Sequence, residues 1–197
     1  MRKMCLGLLF LLLTSMHALQ AQGLLGPFDE DALNRFSAKA VNLPYNAGIL
    51  QQNKWTLLVF LSPECPLSKN YAVVIQQLAN DYSDQIQAIG IIPGTTFSKK
   101  EIQQFAAKYK LSFPLVVDEK MTVVKAVEAT ITPEVVLMTD KASLIYRGAI
   151  DDWAVELGKK RTKASREYLR DAIRQTQSNI PVTQKINQPV GCLINEF

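Results

Sequence analysis

Two cysteines, Cys65 and Cys192, are the residues best suited to chemistry outside the N-terminal stretch. The reactive form of cysteine is the thiolate, so the surroundings of each thiol decide what it can do. Cys65 lies in Ser62-Pro63-Glu64-Cys65-Pro66-Leu67-Ser68, after an apolar run and before a segment with helical spacing. A helix N-terminus offers unpaired N–H groups and the positive end of the dipole, and both favour a thiolate. Pro66 suits the first turn of that helix. Glu64 works the other way, since a neighbouring negative charge raises a thiol pKa. The bland alternative is that Cys65 is a small buried apolar residue.

Other residue types narrow the chemistry. The one histidine, His17, lies in the N-terminal stretch. The rest of the chain therefore lacks Cys-His and Ser-His nucleophile pairs and histidine metal ligands. Residues 1–21 read as a secretory signal peptide: basic Arg2 and Lys3, an apolar run from Cys5 to Leu13, and a small residue at Ala21. The run is too short for a membrane anchor, which needs about 20 apolar residues. Cleavage would leave a protein without stable membrane insertion, exported to the periplasm or cell exterior. It would also remove two positive charges from the formal net charge of +4. So weak a charge is no footprint for nucleic acid. Lys159-Lys160-Arg161-Thr162-Lys163 is a basic run, read as a solvated face with phosphate or headgroup contact as the alternative.

The elements that must position Cys65 follow from apolar periodicity. The organisation expected is an N-terminal extension over residues 22–54, a domain over 55–176 and a tail over 177–197. In the extension, a short helix at Glu30–Lys39 and a strand near Ala40–Asn42 are expected. Thr56–Leu61 and Ile86–Ile92 read as strands covered on both faces. Between them, Ser68–Tyr82 has helical spacing, with Tyr71, Val74, Ile75, Leu78 and Tyr82 on one face. Ser98-Lys99-Lys100-Glu101 is a capping box that opens a helix to about Tyr109. Phe113–Asp118 then reads as a strand and Met121–Glu128 as a short helix. Glu134–Thr139 and Ser143–Arg147 form a plausible hairpin, followed by an amphipathic helix over Ala164–Thr176. This order implies an α/β fold with a mixed sheet and helices on both faces.

The turn around Cys65, together with Ile131-Thr132-Pro133-Glu134-Val135-Val136-Leu137 and Ile145-Tyr146-Arg147-Gly148, resembles the thioredoxin-like superfamily in its redoxin-domain branch. That branch includes thioredoxin-like reductases and peroxiredoxins. The resemblance spans about Trp55 to Ile173. It implies a three-layer α/β/α sandwich with a central mixed sheet, and a cis peptide bond before Pro133. It also implies that Cys65 is a nucleophile acting on protein disulfides or thiols. Ser68 would hydrogen-bond the thiolate, and Pro66, Thr132 and Pro133 would line the substrate site. No metal or organic cofactor is implied, and another thiol protein would supply electrons or serve as substrate.

Departures from the family pattern leave alternatives open. Ser68 stands where thioredoxins carry their second cysteine, so a local dithiol cycle is impossible. Ser62 and Cys65 fit the peroxiredoxin spacing, but no arginine stands at the start of the strand beginning Thr132-Pro133, and Arg147 is misplaced for that role. A peroxiredoxin-like peroxidase and a non-catalytic binding module are the competing readings. Cys192, in Pro189-Val190-Gly191-Cys192-Leu193-Ile194, could resolve oxidised Cys65. It could instead form a permanent bridge, which in the chain-entropy model stabilises by about 5 kcal/mol. The third alternative is an unpaired thiol under the tail.

Overall fold

The computed structural model describes residues 28–44, 46–48, 50 and 52–194. The expected leader over residues 1–21 lies outside the described residues.

Helix α1 (Glu30–Arg35) starts at Asp29, whose side chain accepts from the Ala32 amide. It ends earlier than the expected Glu30–Lys39, because Phe36 turns to an extended conformation. Strand β1 is accordingly Ser37–Lys39 rather than Ala40–Asn42, and it pairs antiparallel with β2 (Asn46–Gly48). Strand β3 (Trp55–Phe60) leads through the Cys65 turn into α2 (Pro66–Asp81). Strand β4 (Ile86–Pro93) follows, and then α3 (Lys99–Tyr109), which opens on the expected capping box. Next come β5 (Leu115–Asp118), α4 (Thr122–Ala126) and β6 (Ile131–Thr132). The chain continues through β7 (Glu134–Met138), β8 (Leu144–Gly148), β9 (Ala154–Glu156) and β10 (Lys159–Lys160). It ends with α5 (Tyr168–Gln177) and β11 (Cys192–Leu193).

Five strands form the main sheet in the order β5-β4-β3-β7-β8. The first three run parallel, while β7 and β8 run antiparallel to their neighbours. This is the mixed sheet expected from the alternation of elements. Side chains alternate across a strand, so the run in β3 feeds two cores. Leu57 and Val59 face α2, α3 and α5, where they meet Tyr71, Ile75, Phe105 and Ile173. Leu58 and Phe60 face α1 and α4, where they meet Leu33, Val123 and Val124. Both faces are thus covered, giving a three-layer α/β/α sandwich. The inward face of α2 carries Ala72 in place of the expected Val74, which is 38% exposed.

Past the hairpin the chain departs from simple periodicity. The β9–β10 hairpin has no counterpart among the expected elements, and it absorbs much of the basic run. Lys159 pairs with Glu156 at 3.1 Å, Arg161 pairs with Asp152 at 3.3 Å, and Lys160 stands over the Trp153 ring. No helix among the described residues is long and apolar enough to cross a membrane.

Candidate active site

The site begins at the end of β3, the strand at the middle of the sheet. Cys65 is the N-cap of α2, in an extended backbone conformation, with Pro66 opening the helix. Its amide donates to Ser62 O at 3.1 Å, which closes the turn. Ser68 is fully buried, and its hydroxyl accepts from the Ser62 amide at 3.2 Å. The part of Ser68 that reaches Cys65 is its backbone N–H, joined there by the N–H of Leu67. These are the free donors of a first helical turn.

Opposite Cys65 lies the Thr130–Pro133 loop. The Thr132–Pro133 bond is cis, as the family resemblance implies. The Cys65 thiol donates to Thr132 O at 3.1 Å. Behind the loop stands Glu134, a buried carboxylate at the start of β7, which accepts from the amides of Thr130 at 2.8 Å and Ile131 at 3.3 Å. Arg147 lies 4.0 Å from it and 3.2 Å from Glu128. Burial pushes the Glu134 carboxyl above its ordinary value, and the two amides and Arg147 offset part of that. Sequence reasoning missed this clamp, because an acid directly after Pro133 reads as the solvent side of a strand start.

The tail brings the second thiol. Residues 185–187 run along β8: Arg147 N–H donates to Lys185 O at 2.8 Å, and Asn187 N–H donates to Arg147 O at 3.0 Å. Gly148 permits this approach, since a Cβ there would lie 1.9 Å from the Asn187 oxygen and its φ is +136°. Farther on, β11 pairs antiparallel with β6, with Cys192 opposite Thr132 and Leu193 opposite Ile131. Ile194 N–H donates to Thr130 O at 2.9 Å, and the Thr132 hydroxyl donates to Cys192 O at 3.4 Å. Cys192 therefore lies beside the residue whose carbonyl accepts the Cys65 thiol, and both cysteines are free of disulfides.

The electrostatics separate the two sulfurs. Burial pushes the Cys65 thiol up, but hydrogen bonds from the Cys192 side chain and from the amides of Ser68, Cys192 and Leu67 outweigh it. Its pKa is therefore lowered. Cys192 is raised, by burial first and then by its hydrogen bond to and charge repulsion from Cys65. The two shifts run in opposite directions, so Cys65 is the readier of the two to form a thiolate. Cys65 is only 2% exposed, whereas Cys192 is partly open. A cleft of about 200 Å³ reaches Cys192, lined by Ser62, Phe97, Met121, Thr132 and Leu193 among others.

Cys65, Ser68, Thr132 and Cys192 thus meet at one place, with Pro66 and Pro133 flanking it in the chain. Among the described residues no cluster of His, Cys, Asp or Glu is arranged to hold a metal ion.

The profile of the AhpC/TSA family matches residues 32–150, a stretch that contains the Cys65 turn, the Thr132–Pro133 bond and Arg147. The chain belongs to the AhpC/TSA family. The fold has counterparts among solved structures. An uncharacterized conserved protein from Geobacillus kaustophilus superposes with a TM-score of 0.71 at 22% identity, covering 82% of this chain and 88% of the other. A thioredoxin-like protein studied in its oxidized form gives 0.55 at 16% identity, over 75% and 95% of the two chains. A thiol-disulfide oxidoreductase from Bacteroides fragilis gives 0.50 at 17% identity, over 57% and 85%. No curated protein matches the chain. The fold of this family member is therefore thioredoxin-like.

Proposed function

We propose that this AhpC/TSA-family chain is a thiol-dependent oxidoreductase that uses Cys65 as nucleophile and Cys192 as its partner. The observation that carries the reading is the pairing of Cys192 opposite Thr132, the residue whose carbonyl accepts the Cys65 thiol, with Cys65 seated at the N-terminus of α2. A thiolate needs stabilising donors and a second thiol needs proximity, and this arrangement supplies both.

The reaction begins when the Cys65 thiolate attacks one sulfur of a partner disulfide. A Cys65–partner S–S bond forms, the partner's own S–S bond breaks, and its second sulfur leaves as a thiolate. Cys192 then loses its proton and attacks the Cys65 sulfur. The Cys65–Cys192 bond forms, and the partner departs with both sulfurs reduced. A second thiol protein reduces the internal disulfide and restores the starting state. Thr132 lines the cleft beside Cys192, and Ser68 holds the turn through its contact with the Ser62 amide. The thiol-disulfide oxidoreductase among the structural neighbours is consistent with this reading. The apolar N-terminal run of the sequence adds an exported protein, acting in the periplasm or outside the cell.

The near-complete burial of Cys65 favours a second reading, because a hydroperoxide is small enough to reach a covered thiolate. Attack on the peroxide would leave Cys65 as a sulfenic acid and release an alcohol or water. Cys192 would then displace the sulfenic hydroxyl as water and close the same disulfide.

Intact-mass measurement with differential thiol labelling tests both readings. Treatment with a protein disulfide or with one equivalent of hydrogen peroxide should remove the two thiol hydrogens and block both cysteines, reversibly with a dithiol. Whichever oxidant works faster identifies the substrate class. Two thiols unchanged by both oxidants would overturn the proposal and leave a binding module. Cys65→Ser should abolish the reaction with either oxidant.

A further inference from the structure

The tail meets the Thr130–Thr132 edge as a substrate strand would, with one cysteine facing inward. Its contacts read sequence position by position. Val190 packs against the core on one side and Ile194 against the core on the other. Cys192 lies opposite Thr132, whose carbonyl accepts the Cys65 thiol, while Leu193 is 72% exposed and belongs to neither core. At Gly191 there is no room for a side chain: a Cβ would lie 2.2 Å from Thr132 O and 2.6 Å from Ile131 Cγ2. That carbonyl is backbone and also accepts the Cys65 thiol, so it cannot yield without disturbing the nucleophile. Glu134 fixes the same loop from behind.

We infer that this edge is a docking site for an extended segment of the pattern apolar-glycine-cysteine-any-apolar, filled at rest by the chain's own Val190–Ile194 and open to a partner protein's segment of the same pattern once the tail lifts. The inference rests on the thiol-exchange reading and names its substrate class. In the reaction the Cys65 thiolate attacks the sulfur of the docked cysteine, itself held in a disulfide. The Cys65–cysteine S–S bond forms and the electron pair leaves with the partner's other sulfur.

The test uses the full chain carrying Cys192→Ser, so that Cys65 is the thiol read out. Gly191→Ala, and separately Ile194→Pro, are added to unseat the tail. The first collides with Thr132 O, and the second removes the N–H bonded to Thr130 O. The probes are capped pentapeptides Val-Gly-Cys-Leu-Ile, Val-Ala-Cys-Leu-Ile and Val-Gly-Cys-Lys-Ile, each as its thionitrobenzoate mixed disulfide. Release of thionitrobenzoate reports attack by Cys65. The glycine peptide should react about tenfold faster with either opened variant than with Cys192→Ser alone. It should also outrun the alanine peptide by about tenfold, which is about 1.4 kcal/mol. The lysine peptide should match the leucine one. Equal rates for the glycine and alanine peptides, with free Ellman's reagent still reacting at Cys65, would overturn this inference and leave the thiol-exchange reading intact. A Cys65 inert to Ellman's reagent in both opened variants would overturn both.

Discussion

Cys65 and Cys192 both meet Thr132, yet the regions that hold them are built differently. Cys65 stands on the rigid part of the molecule, between the central strand β3 and the first turn of α2, with both cores packed beneath it. Cys192 arrives on a tail with little regular structure, held at two places by backbone hydrogen bonds and by the close approaches at Gly148 and Gly191. The first arrangement fixes a nucleophile by packing. The second fixes its partner by main-chain pairing, which a competing strand can replace. A thiol that must be steady and a thiol that must come and go are thus given different kinds of support.

The largest effect expected on this contrast comes from Glu134, where the two regions join. Glu134→Ala would leave the part-buried amide of Thr130 and the buried amide of Ile131 without this acceptor and Arg147 without one of its two acidic partners. At about 1–3 kcal/mol for each unsatisfied group, stability should fall by about 3 kcal/mol. Chemical denaturation measures that loss. Closure of the Cys65–Cys192 disulfide should slow as well, because the loop that seats β11 loosens. Glu134→Gln keeps one acceptor oxygen and should recover part of both effects. A variant that loses stability but closes the disulfide at the natural rate would show that the tail does not depend on the loop.

The same contrast explains what could be read from the sequence. The β3 run, the capping box at Ser98 and the Cys65 turn were legible, because each leaves a mark in residue type and spacing, whereas the cis bond before Pro133 was implied only by the family resemblance. The five-stranded sheet followed from the alternation of those elements. Helix α1 was overextended, since nothing in Phe36-Ser37-Ala38-Lys39 forbids a helix and the pairing of β1 with β2 decides it. Strand β11 was illegible for a more general reason. Its register rests on main-chain atoms, and its only mark is the glycine at position 191. The β9–β10 hairpin is similarly short and exposed, so it shows no apolar alternation. The meeting of Cys192 with Cys65 stood among three alternatives for Cys192, and the geometry now brings the two thiols together.

A subtler effect should appear in the titration of the two thiols. Because the Cys65 pKa is lowered, its thiolate persists to lower pH than that of an exposed cysteine, whose ordinary value is about 8.5. The rate of alkylation at Cys65 follows the thiolate fraction, so its midpoint should lie below that value. Cys192→Ala removes the side-chain hydrogen bond and should move the midpoint upward, towards that of an ordinary cysteine. Linkage has the same sign. A group whose folded pKa is depressed stabilises the fold above its unfolded pKa and loses that contribution as pH falls through the folded value. The natural chain should therefore lose stability relative to Cys65→Ser as pH falls across that window. A midpoint unchanged by Cys192→Ala would assign the depression to the backbone amides of Ser68, Leu67 and residue 192 and remove the proposed side-chain coupling between the regions.

The smallest effect belongs to the scaffold by itself. Ser98 caps α3 through the Glu101 amide, and the Glu101 carboxylate returns a bond to the Ser98 amide at 2.8 Å. Ser98→Ala removes one half of this exchange at an exposed site and should cost about 1 kcal/mol in chemical denaturation. The rate of Cys65–Cys192 closure should stay as it was, because α3 buries Ile102 and Phe105 in the core and those contacts survive the loss of a cap. The comparison is then sharp. A loss of stability in the packed region should leave the thiols untouched, whereas a similar insult to the loop under β11 should reach them directly. If Ser98→Ala also slowed disulfide closure, the tail would be sensing the stability of the whole domain, and its seat would not be the separate, replaceable contact that the pairing of β6 with β11 describes.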